Sequence, residues 1–372
     1  MSIEIKEVTS SAERKVFAQW PFTLYKGNPY WVPPLIDGEV KSLDPRTNPA
    51  FSFCQAKFWI AYKDKKPAGR IGAIINNKYN EKMGLRTGRI SRIEFIDDEA
   101  VSNRLFGEAE TWLKLQGMNE VQGPLGFTNL DTQGLLIEGF DHLQSIASVY
   151  HLPYYQNHFM RLGYEKEIDW LEFRLTIEAI PEKASKLAEM IQQRYRLKII
   201  TFRKISEIKP YVPKVFALLN SAFEELFSVV AFDEVMVDYY TRKYFDFLNP
   251  EFVKLIETEN GDLAGFINGV PSLSKAMQKA GGRLLPFGFI PVMRALKHPK
   301  EMDIFLTGVD PKLQGTGIPA LLINELQKTI LSYKIPFVET TGIFETNHKA
   351  IQHWKNYKHI QHKRRRCYKK SL

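Results

Sequence analysis

The feature that most constrains the fold of this chain is a weak internal repeat. Residues 58–62 and 68–74 flank one turn, and residues 253–257 and 263–267 flank another. Apolar and β-branched residues dominate these segments, and an Ala-Gly pair lies at the start of each returning strand. Each pair of segments therefore predicts a β-hairpin, present once in each half of the chain.

A second correspondence follows each hairpin. Residues 91–96 form a predicted strand that leads through acidic residues into a helix, and residues 304–309 form another that leads through a loop into a helix. Each helix carries apolar side chains at helical spacing and leads into a further strand, at 120–123 or 336–341. This order implies parallel pairing across a crossover helix, hence two α/β domains with mixed sheets.

The length of the chain also fits two domains, because 372 residues exceed what one compact core usually contains. A predicted strand ends near Glu178, and a new helix begins after Pro181. We therefore predict domains at residues 1–178 and 179–372.

Composition bounds the cellular setting. No apolar run approaches membrane-spanning length, and the first residues lack the features of a secretory signal. The two cysteines, Cys54 and Cys367, are far apart and outside any metal-spaced pair, so we expect no disulfide framework and no metal site. These features predict a cytoplasmic protein without a membrane span.

The net charge of +9 is local. No acidic residue follows Glu345, and the chain up to that point is balanced in charge. The tail after it holds all of the excess, in Lys349, Lys355, Lys358, Lys363, Arg364, Arg365, Arg366, Lys369 and Lys370. This basic tail has three interpretations. The first is a last strand with solvated charges, and the second is binding of a CoA phosphate or an acidic acceptor by Arg364 and Arg366, which would share one strand face. The third is a nucleic-acid or membrane contact.

The loop after residues 304–309 carries the clearest chemical signal. Gly315 and Gly317 permit a tight turn that exposes backbone N–H groups, and Pro319 suits the first turn of a helix. Such a helix N-terminus attracts phosphate through its unpaired amides and its dipole. Taken alone, this pattern favours a plain glycine-rich turn.

The context of the loop adds a resemblance. The run Val309-Asp310-Pro311-Lys312-Leu313-Gln314-Gly315-Thr316-Gly317-Ile318 resembles the pyrophosphate loop of the GNAT superfamily of N-acetyltransferases. Gln314 and Gly317 match the superfamily pattern, whereas Pro319 stands where a final Gly or Ala is usual. The segment from Asn347 through Ala350 to Trp354 resembles the helix beside the CoA thiol, with Trp354 in place of a frequent Tyr.

The first half resembles a mostly uncharacterised family of bacterial tandem-GNAT proteins. The residues that carry this resemblance are Leu24-Tyr25, Pro29, Trp31-Val32-Pro33-Pro34-Leu35, Asp44-Pro45, Gly123-Pro124, Gly134-Leu135-Leu136 and Gly139-Phe140. The equivalent loop of this half, at 95–102, has three acidic residues and no glycine, so it would repel a pyrophosphate. We therefore predict two tandem GNAT-like domains, of which the N-terminal one is degenerate.

The resemblance implies an N-acyltransferase that uses acetyl-CoA or another acyl-CoA, with direct attack of an amine on the thioester. Glu339 is the candidate base, with a salt-bridged strand Glu as the equally weighted alternative, and Tyr357 is a possible acid. The residues expected at the cofactor are Leu306, Thr307, Gly308, Val309, Gln314, Gly315, Thr316, Gly317, Ile318, Pro319, Ala320, Asn347, Ala350 and Trp354.

Two other functions remain open at the level of the sequence. An aminoacyl-tRNA-dependent transferase could use the same doubled fold, although an RNA donor needs no pyrophosphate cradle. A CoA-binding regulatory protein would explain Trp354 and the absence of a certain base. The acceptor is expected to be a small-molecule or peptide amine, held in a cleft between the domains, with no nucleic-acid partner. The oligomeric state is not predicted.

Overall fold

The computed structural model describes residues 2–354 and 357–372. Met1, Asn356 and the basic tail residue Lys355 lie outside this range. The chain divides into two compact units: a first unit of residues up to Leu171, Ser274–Phe289 and His362–Leu372, and a second unit of Glu172–Leu273 and Ile290–Gln361. The division at residues 178 and 179 remains a prediction about the repeat.

The strands and helices are numbered in chain order. The strands are β1 (Ile3–Glu7), β2 (Cys54–Lys63), β3 (Lys66–Asn76), β4 (Thr87–Phe95), β5 (Glu120–Gly123), β6 (Leu135–Glu138), β7 (Glu165–Thr176), β8 (Lys198–Thr201), β9 (Val253–Glu257), β10 (Leu263–Pro271), β11 (Glu301–Val309), β12 (Phe337–Thr340), β13 (Ile343–Phe344) and β14 (Lys358–Ser371). The α-helices are α1 (Ser11–Leu24), α2 (Ile36–Ser42), α3 (Asn77–Met83), α4 (Glu99–Leu115), α5 (Tyr155–Arg161), α6 (Glu182–Arg194), α7 (Ile205–Ile208), α8 (Val212–Ala222), α9 (Glu234–Tyr244), α10 (Ser274–Ala280), α11 (Phe289–Lys297), α12 (Ile318–Ser332) and α13 (His348–Trp354).

The sheet of the first unit has the order β1-β2-β3-β4-β5-β14-β7, with β6 also paired to β14. The predicted hairpin is confirmed as the antiparallel pair β2 and β3. The predicted parallel pairing across a crossover helix is confirmed for β4 and β5, from Thr87↔Glu120 to Arg89↔Gln122. β14 is antiparallel to β5, so the last strand in the sequence lies inside this sheet rather than at its edge.

Helices cover both faces of this sheet. A Cβ on Gly69 would lie 2.8 Å from Leu105 Cδ1 of α4, whereas the guanidinium of its neighbour Arg70 donates to the carbonyl of Phe17 in α1. Adjacent strand residues point to opposite faces, so α4 and α1 lie on opposite sides. The core under α4 includes Ile90 and Val121, both fully buried.

The sheet of the second unit has the order β7-β12-β11-β10-β9-β8, with β13 also paired to β7. β9 and β10 form the second predicted hairpin, and β11 and β12 form the second predicted parallel pair. α12 packs on this sheet, because a Cβ on Gly265 would lie 2.9 Å from Ile318 Cγ2. Both units are therefore mixed α/β, as predicted.

None of the helices in the described part of the chain is both long and apolar enough to cross a membrane. Within residues 2–354 and 357–372, no group of three or more His, Cys, Asp or Glu side chains is arranged to hold a metal ion.

Candidate functional site

The turn between β11 and α12 has the backbone conformation that its glycines predict. Gly315 has a φ of 82° and Gly317 a φ of 91°, both in the left-handed region. Two short-range bonds hold the turn: Asp310 Oδ1 accepts from the amide of Lys312 at 2.9 Å, and Thr316 Oγ1 donates to the Leu313 carbonyl at 2.6 Å. These hydrogen bonds and the two left-handed glycines together define the backbone conformation of the turn.

The turn leaves amides available at the start of α12. Gly317 is the N-cap of α12, and no side chain caps this helix. The amides of Gly315, Gly317 and Ile318 donate in none of the backbone hydrogen bonds of the turn as described, whereas the amide of Ala320 donates to Gly317 at 2.9 Å. Unpaired N–H groups and the positive end of the helix dipole together favour an anion here.

The two glycines of this turn differ in their surroundings. A Cβ on Gly315 would meet nothing within 4 Å, whereas a Cβ on Gly317 would lie 2.5 Å from Ile191 Cδ1 of α6. Gln314 and Gly315 are exposed, and Pro319 lies at the second helical position, where α12 needs no N–H donor from it. Gly315 is therefore the position at which a side chain tests the anion site without disturbing the packing of α6.

β11 separates from β12 just before the turn. The parallel register runs only from Glu301↔Phe337 to Ile304↔Thr340. Beyond it, Thr341 bonds back to β11, with its amide donating to the Ile304 carbonyl and its hydroxyl donating to the Phe305 carbonyl. Among the described strands, residues 306–309 then pair with β10 alone, which leaves their other edge available to a ligand.

An irregularity in β11 marks the same place. The pairing of β10 and β11 shifts register between Asn268 and Gly269, so that Phe305 is an extra residue on β11. Such β-bulges redirect backbone groups and are frequent beside active sites. Of the predicted cofactor residues, Leu306, Thr307, Gly308 and Val309 thus form one strand edge that leads into the turn.

Glu339 lies on β12 beside an arginine. Its Oε1 is 3.4 Å from Arg174 Nη1, and its side chain is 12% exposed. Arg174 also lies 3.5 Å from Glu301 Oε1. This geometry places a carboxyl group beside a cation on β12, which suits a general base and is equally the structure expected of a salt-bridged strand glutamate.

The last residue of α13 and the next described aromatic residue lie close to each other. The ring centres of Trp354 and Tyr357 are 6.1 Å apart, and burial raises the pKa of Tyr357. The Tyr357 hydroxyl donates to Gln327 Oε1 of α12 at 2.8 Å. The indole N–H of Trp354 is buried and has no hydrogen-bond partner among the described residues. An unused buried donor of this kind suits a carbonyl or amide oxygen of a bound ligand.

The remaining predicted cofactor residues belong to the start of α13. The side chain of Asn347 accepts from the amide of Ala350 at 3.1 Å, and its carbonyl accepts from the amide of Ile351. Asn347 therefore caps α13, which fixes the direction of the helix that carries Trp354.

The first unit has a different loop at the equivalent place. Asp98 is the N-cap of α4 and accepts from the amides of Ala100 and Val101. Lys63 donates to the same carboxylate, and this bond, with the two amides, lowers the pKa of Asp98. The helix N-terminus in this unit is thus satisfied by a carboxylate of the chain.

A chain of three polar side chains beside this loop, two of them buried, was not found from the sequence. Ser102 Oγ lies 2.8 Å from His158 Nδ1, and His158 Nε2 lies 2.9 Å from Asp97 Oδ1. This is the order of a Ser–His–Asp relay, but Ser102 is fully buried and bonds to the Glu99 carbonyl of its own helix. The three residues fasten the start of α4 to α5, and only their positions in space reveal the link.

The arginines of the tail face an internal acid. Arg364 Nη1 lies 3.1 Å from Asp169 Oδ2, and Arg366 Nε lies 2.7 Å from Asp169 Oδ1. Burial alone would raise the pKa of Asp169, but the hydrogen bonds from both arginines outweigh it and lower the pKa. Arg365 points the other way and donates to the Gln133 carbonyl. The anion beside Arg364 and Arg366 is therefore the carboxylate of Asp169, within the chain itself.

The architecture resembles solved structures over the whole chain. A tandem GNAT protein from the clavulanic acid biosynthesis pathway superposes with a TM-score of 0.58 at 12% identity, covering 100% of this chain and 98% of that one. This protein has a tandem GNAT-like fold. A GCN5-related N-acetyltransferase from Sphaerobacter thermophilus gives a TM-score of 0.53 at 12% identity, with 99% and 95% coverage. No family model matches the sequence of this tandem GNAT-like chain.

Curated proteins are similar over their full length as well. Protein YghO of Escherichia coli is 29% identical over 381 residues, which cover 99% of this tandem GNAT-like chain and 95% of YghO. A bacterial ceramide synthase of Caulobacter vibrioides is 26% identical over 383 residues, which cover 100% and 98% of the two chains.

Proposed function

We propose that this chain is an acyl-CoA-dependent N-acyltransferase with its cofactor site in the second unit. The observation that carries the proposal is the turn between β11 and α12, where the amides of Gly315, Gly317 and Ile318 lie at an uncapped helix N-terminus. A pyrophosphate needs several N–H donors and a positive potential in one place, and this turn supplies both. The open edge of 306–309 leads to the turn and fits the extended arm of CoA.

In the proposed reaction, an amine nitrogen attacks the thioester carbon directly. A C–N bond forms, the C–S bond breaks, and CoA leaves as the thiol. Backbone N–H groups of 306–309 would polarise the carbonyl, Glu339 would take the proton from the ammonium, directly or through water, and Tyr357 would return a proton to the thiolate. Trp354 would donate its unused indole N–H to a ligand oxygen, because an indole is too weak an acid to protonate a thiolate.

The acceptor class in the proposal comes from the Caulobacter relative. A ceramide is the amide of a fatty acid with a long-chain amino alcohol, so its synthesis is an N-acylation. We therefore propose a small-molecule amine of the amino-alcohol class as acceptor. The family resemblance favours acetyl-CoA as donor, and the name of the relative favours a fatty acyl-CoA. A cytoplasmic location belongs to the same proposal, because acyl-CoA is available there.

The proposal is tested by release of free CoA thiol and by mass spectrometry of the amide product. Donors range from acetyl-CoA to palmitoyl-CoA, and acceptors include long-chain amino alcohols, polyamines and short peptides. We expect turnover with at least one pair. CoA binding without turnover across the panel would favour the regulatory alternative, and binding of aminoacyl-tRNA without CoA binding would favour the tRNA-dependent transferase.

Glu339→Gln tests the base. Loss of a general base lowers kcat by roughly 100-fold or more, and CoA affinity should stay the same because Glu339 does not touch the turn. Glu301→Gln is the matched control, since Glu301 pairs with the same Arg174. Equal losses in both variants would assign Glu339 to the ion pair alone.

A further inference from the structure

Residues 283–298, here called the basic apolar segment, expose a dense group of large apolar side chains. Leu285 is 79% exposed, Phe287 72% and Ile290 51%. Phe289 and Met293, a few residues on, are close to half exposed. Single exposed apolar residues are ordinary on a protein surface, but five within nine consecutive residues are a local concentration, here called the patch, and concentrations of this kind mark interaction sites.

The helix of this segment directs the patch outward. Phe289, Met293 and Lys297 follow each other at i, i+4 along α11, so they lie in one row on its surface. Val292 is 4% exposed and lies beside this row, on the side of α11 that packs against the protein. α11 is thus anchored through Val292 and presents Phe289 and Met293, with a lysine at the end of their row, beside it.

The charge around the patch has one sign. No Asp or Glu occurs between Leu263 and Lys300, and this stretch contains Lys275, Lys279, Arg283, Arg294, Lys297 and Lys300. Arg283, Arg294 and Lys297 make no ion pair within the described part of the chain. Acidic residues elsewhere in the chain up to Glu345 balance this second basic stretch, so the net charge does not reveal it.

We propose that the basic apolar segment docks on an anionic phospholipid bilayer. Apolar side chains that enter the acyl boundary, with cations beside them at the headgroups, are the arrangement by which an amphipathic helix lies in a membrane interface. A second copy of this chain fits less well, because it would bring the same positive charges against themselves. A nucleic acid would leave the aliphatic side chains without a partner.

The docking proposal does not depend on acyl transfer. It concerns one continuous segment of the chain, and none of its residues belongs to the turn between β11 and α12. If the acceptor is a long-chain amine, docking would also bring the protein to the phase in which such a molecule is found.

Vesicle flotation with the full chain tests the docking. We expect binding to phosphatidylcholine vesicles that contain phosphatidylglycerol to exceed binding to phosphatidylcholine alone by about tenfold or more, and added salt to reduce the difference. The triple variant Phe287→Ser, Ile290→Ser, Met293→Ser should lose at least about tenfold in binding to the anionic vesicles. Arg294→Gln with Lys297→Gln should lose about tenfold, on anionic vesicles only.

The matched control is Leu115→Ser with Met160→Ser, two exposed apolar residues of the first unit. This double variant should bind like the wild type. Equal binding by the triple variant and the wild type would overturn the proposal. Absence of binding of the wild-type protein to anionic vesicles would also overturn it. If the wild type were then found to be a dimer and the triple variant a monomer, the patch would be assigned to a contact between copies of the chain.

A second measurement remains valid if the triple variant does not fold. Both native cysteines are buried, so Phe287→Cys places a single exposed thiol for an environment-sensitive dye. We expect a blue shift of its emission when anionic vesicles are added, and no shift for the same dye at Leu115→Cys. An unchanged spectrum at position 287 in the presence of bound vesicles would show that another surface makes the contact.

Discussion

The loop from β4 to α4 and the loop from β11 to α12 occupy the same place in two related units. The first loop caps the helix that follows it with a side chain, and the second leaves the helix N-terminus uncapped by any side chain. In the first, Asp98 caps α4 and is itself bound by Lys63. In the second, Gly317 caps α12 without a side chain, and three amides have no acceptor in the described turn. An internal carboxylate closes one site, and its absence leaves the other open to an external anion.

The comparison shows why glycine alone does not define a phosphate site. A helix N-terminus favours negative charge wherever it occurs, and a chain can supply that charge itself. Asp98 of the first loop therefore stabilises its own helix, and the same carboxylate places negative charge where an anionic ligand would have to bind. What distinguishes the second loop is that its glycines are left-handed and that no carboxylate of the described residues caps α12 or accepts from the amides of Gly315, Gly317 and Ile318.

Gly315→Asp should have the largest effect, because it gives the second loop a carboxylate like that of the first. Repulsion between unit charges about 4 Å apart amounts to a few kcal/mol near a protein surface, so CoA affinity should fall by about 100-fold. Calorimetry should give one CoA per wild-type chain. Two equivalents per chain would contradict the comparison, since the first loop would then also bind.

Gly315→Asn is the control for this substitution. Asn has the shape of Asp and tolerates the left-handed region, and the space around Gly315 is open. CoA affinity should therefore stay within a few-fold of the wild type. A loss as large as that of Gly315→Asp would mean that shape rather than charge was responsible.

Asp98→Ala should have a smaller effect, on stability and not on CoA. Loss of an N-cap costs about 1 kcal/mol of unfolding free energy at neutral pH. Because the folded-state pKa of Asp98 is lowered, its contribution is complete above the unfolded pKa and is lost as pH falls through the folded value. The difference in unfolding free energy between the variant and the wild type, measured by urea unfolding, should thus become smaller below about pH 4.

Glu99→Ala is the control for Asp98→Ala, since Glu99 begins the same helix but is exposed and does not cap it. Its unfolding free energy should stay within about 0.5 kcal/mol of the wild type. An equal loss of unfolding free energy in both variants would mean that any negative charge near the start of α4 stabilises it, and that the capping hydrogen bonds of Asp98 contribute nothing specific.

Trp354→Phe should have the smallest effect. It removes the unused N–H and keeps an aromatic ring, so CoA affinity should fall by about threefold to tenfold, which corresponds to one neutral hydrogen bond. Unfolding free energy should not fall by a comparable amount, since no bond within the described residues is lost. Trp20→Phe, which removes a similarly unused buried N–H in the first unit, should leave CoA affinity unchanged.

The sequence was sufficient for the local elements. Both hairpins and both parallel pairs are present because alternating apolar residues, turn residues and helical spacing act over short stretches of chain. The glycine turn was equally readable, since a left-handed φ at Gly315 and Gly317 follows from residue type. The residues predicted to bind CoA and to act on it remain predictions.

The rest required contacts between distant residues. Nothing local indicates that Asp169 binds Arg364 and Arg366, or that 274–289 packs with the first unit. Composition also concealed the exposure of Phe287 and its neighbours, because an apolar run is equally consistent with a core. The net charge of a long stretch of chain does not show where its basic residues are concentrated, so it did not reveal the basic apolar segment.

The place of β14 has a consequence for synthesis. Residues 368–371 pair with β5, and β14 lies between β5 and β7 in the sheet of the first unit. A nascent chain that has emerged through Thr176 therefore has both flanking strands but not the one between them. The first half cannot complete its sheet until residue 371 has left the ribosome, so the half made first is finished last.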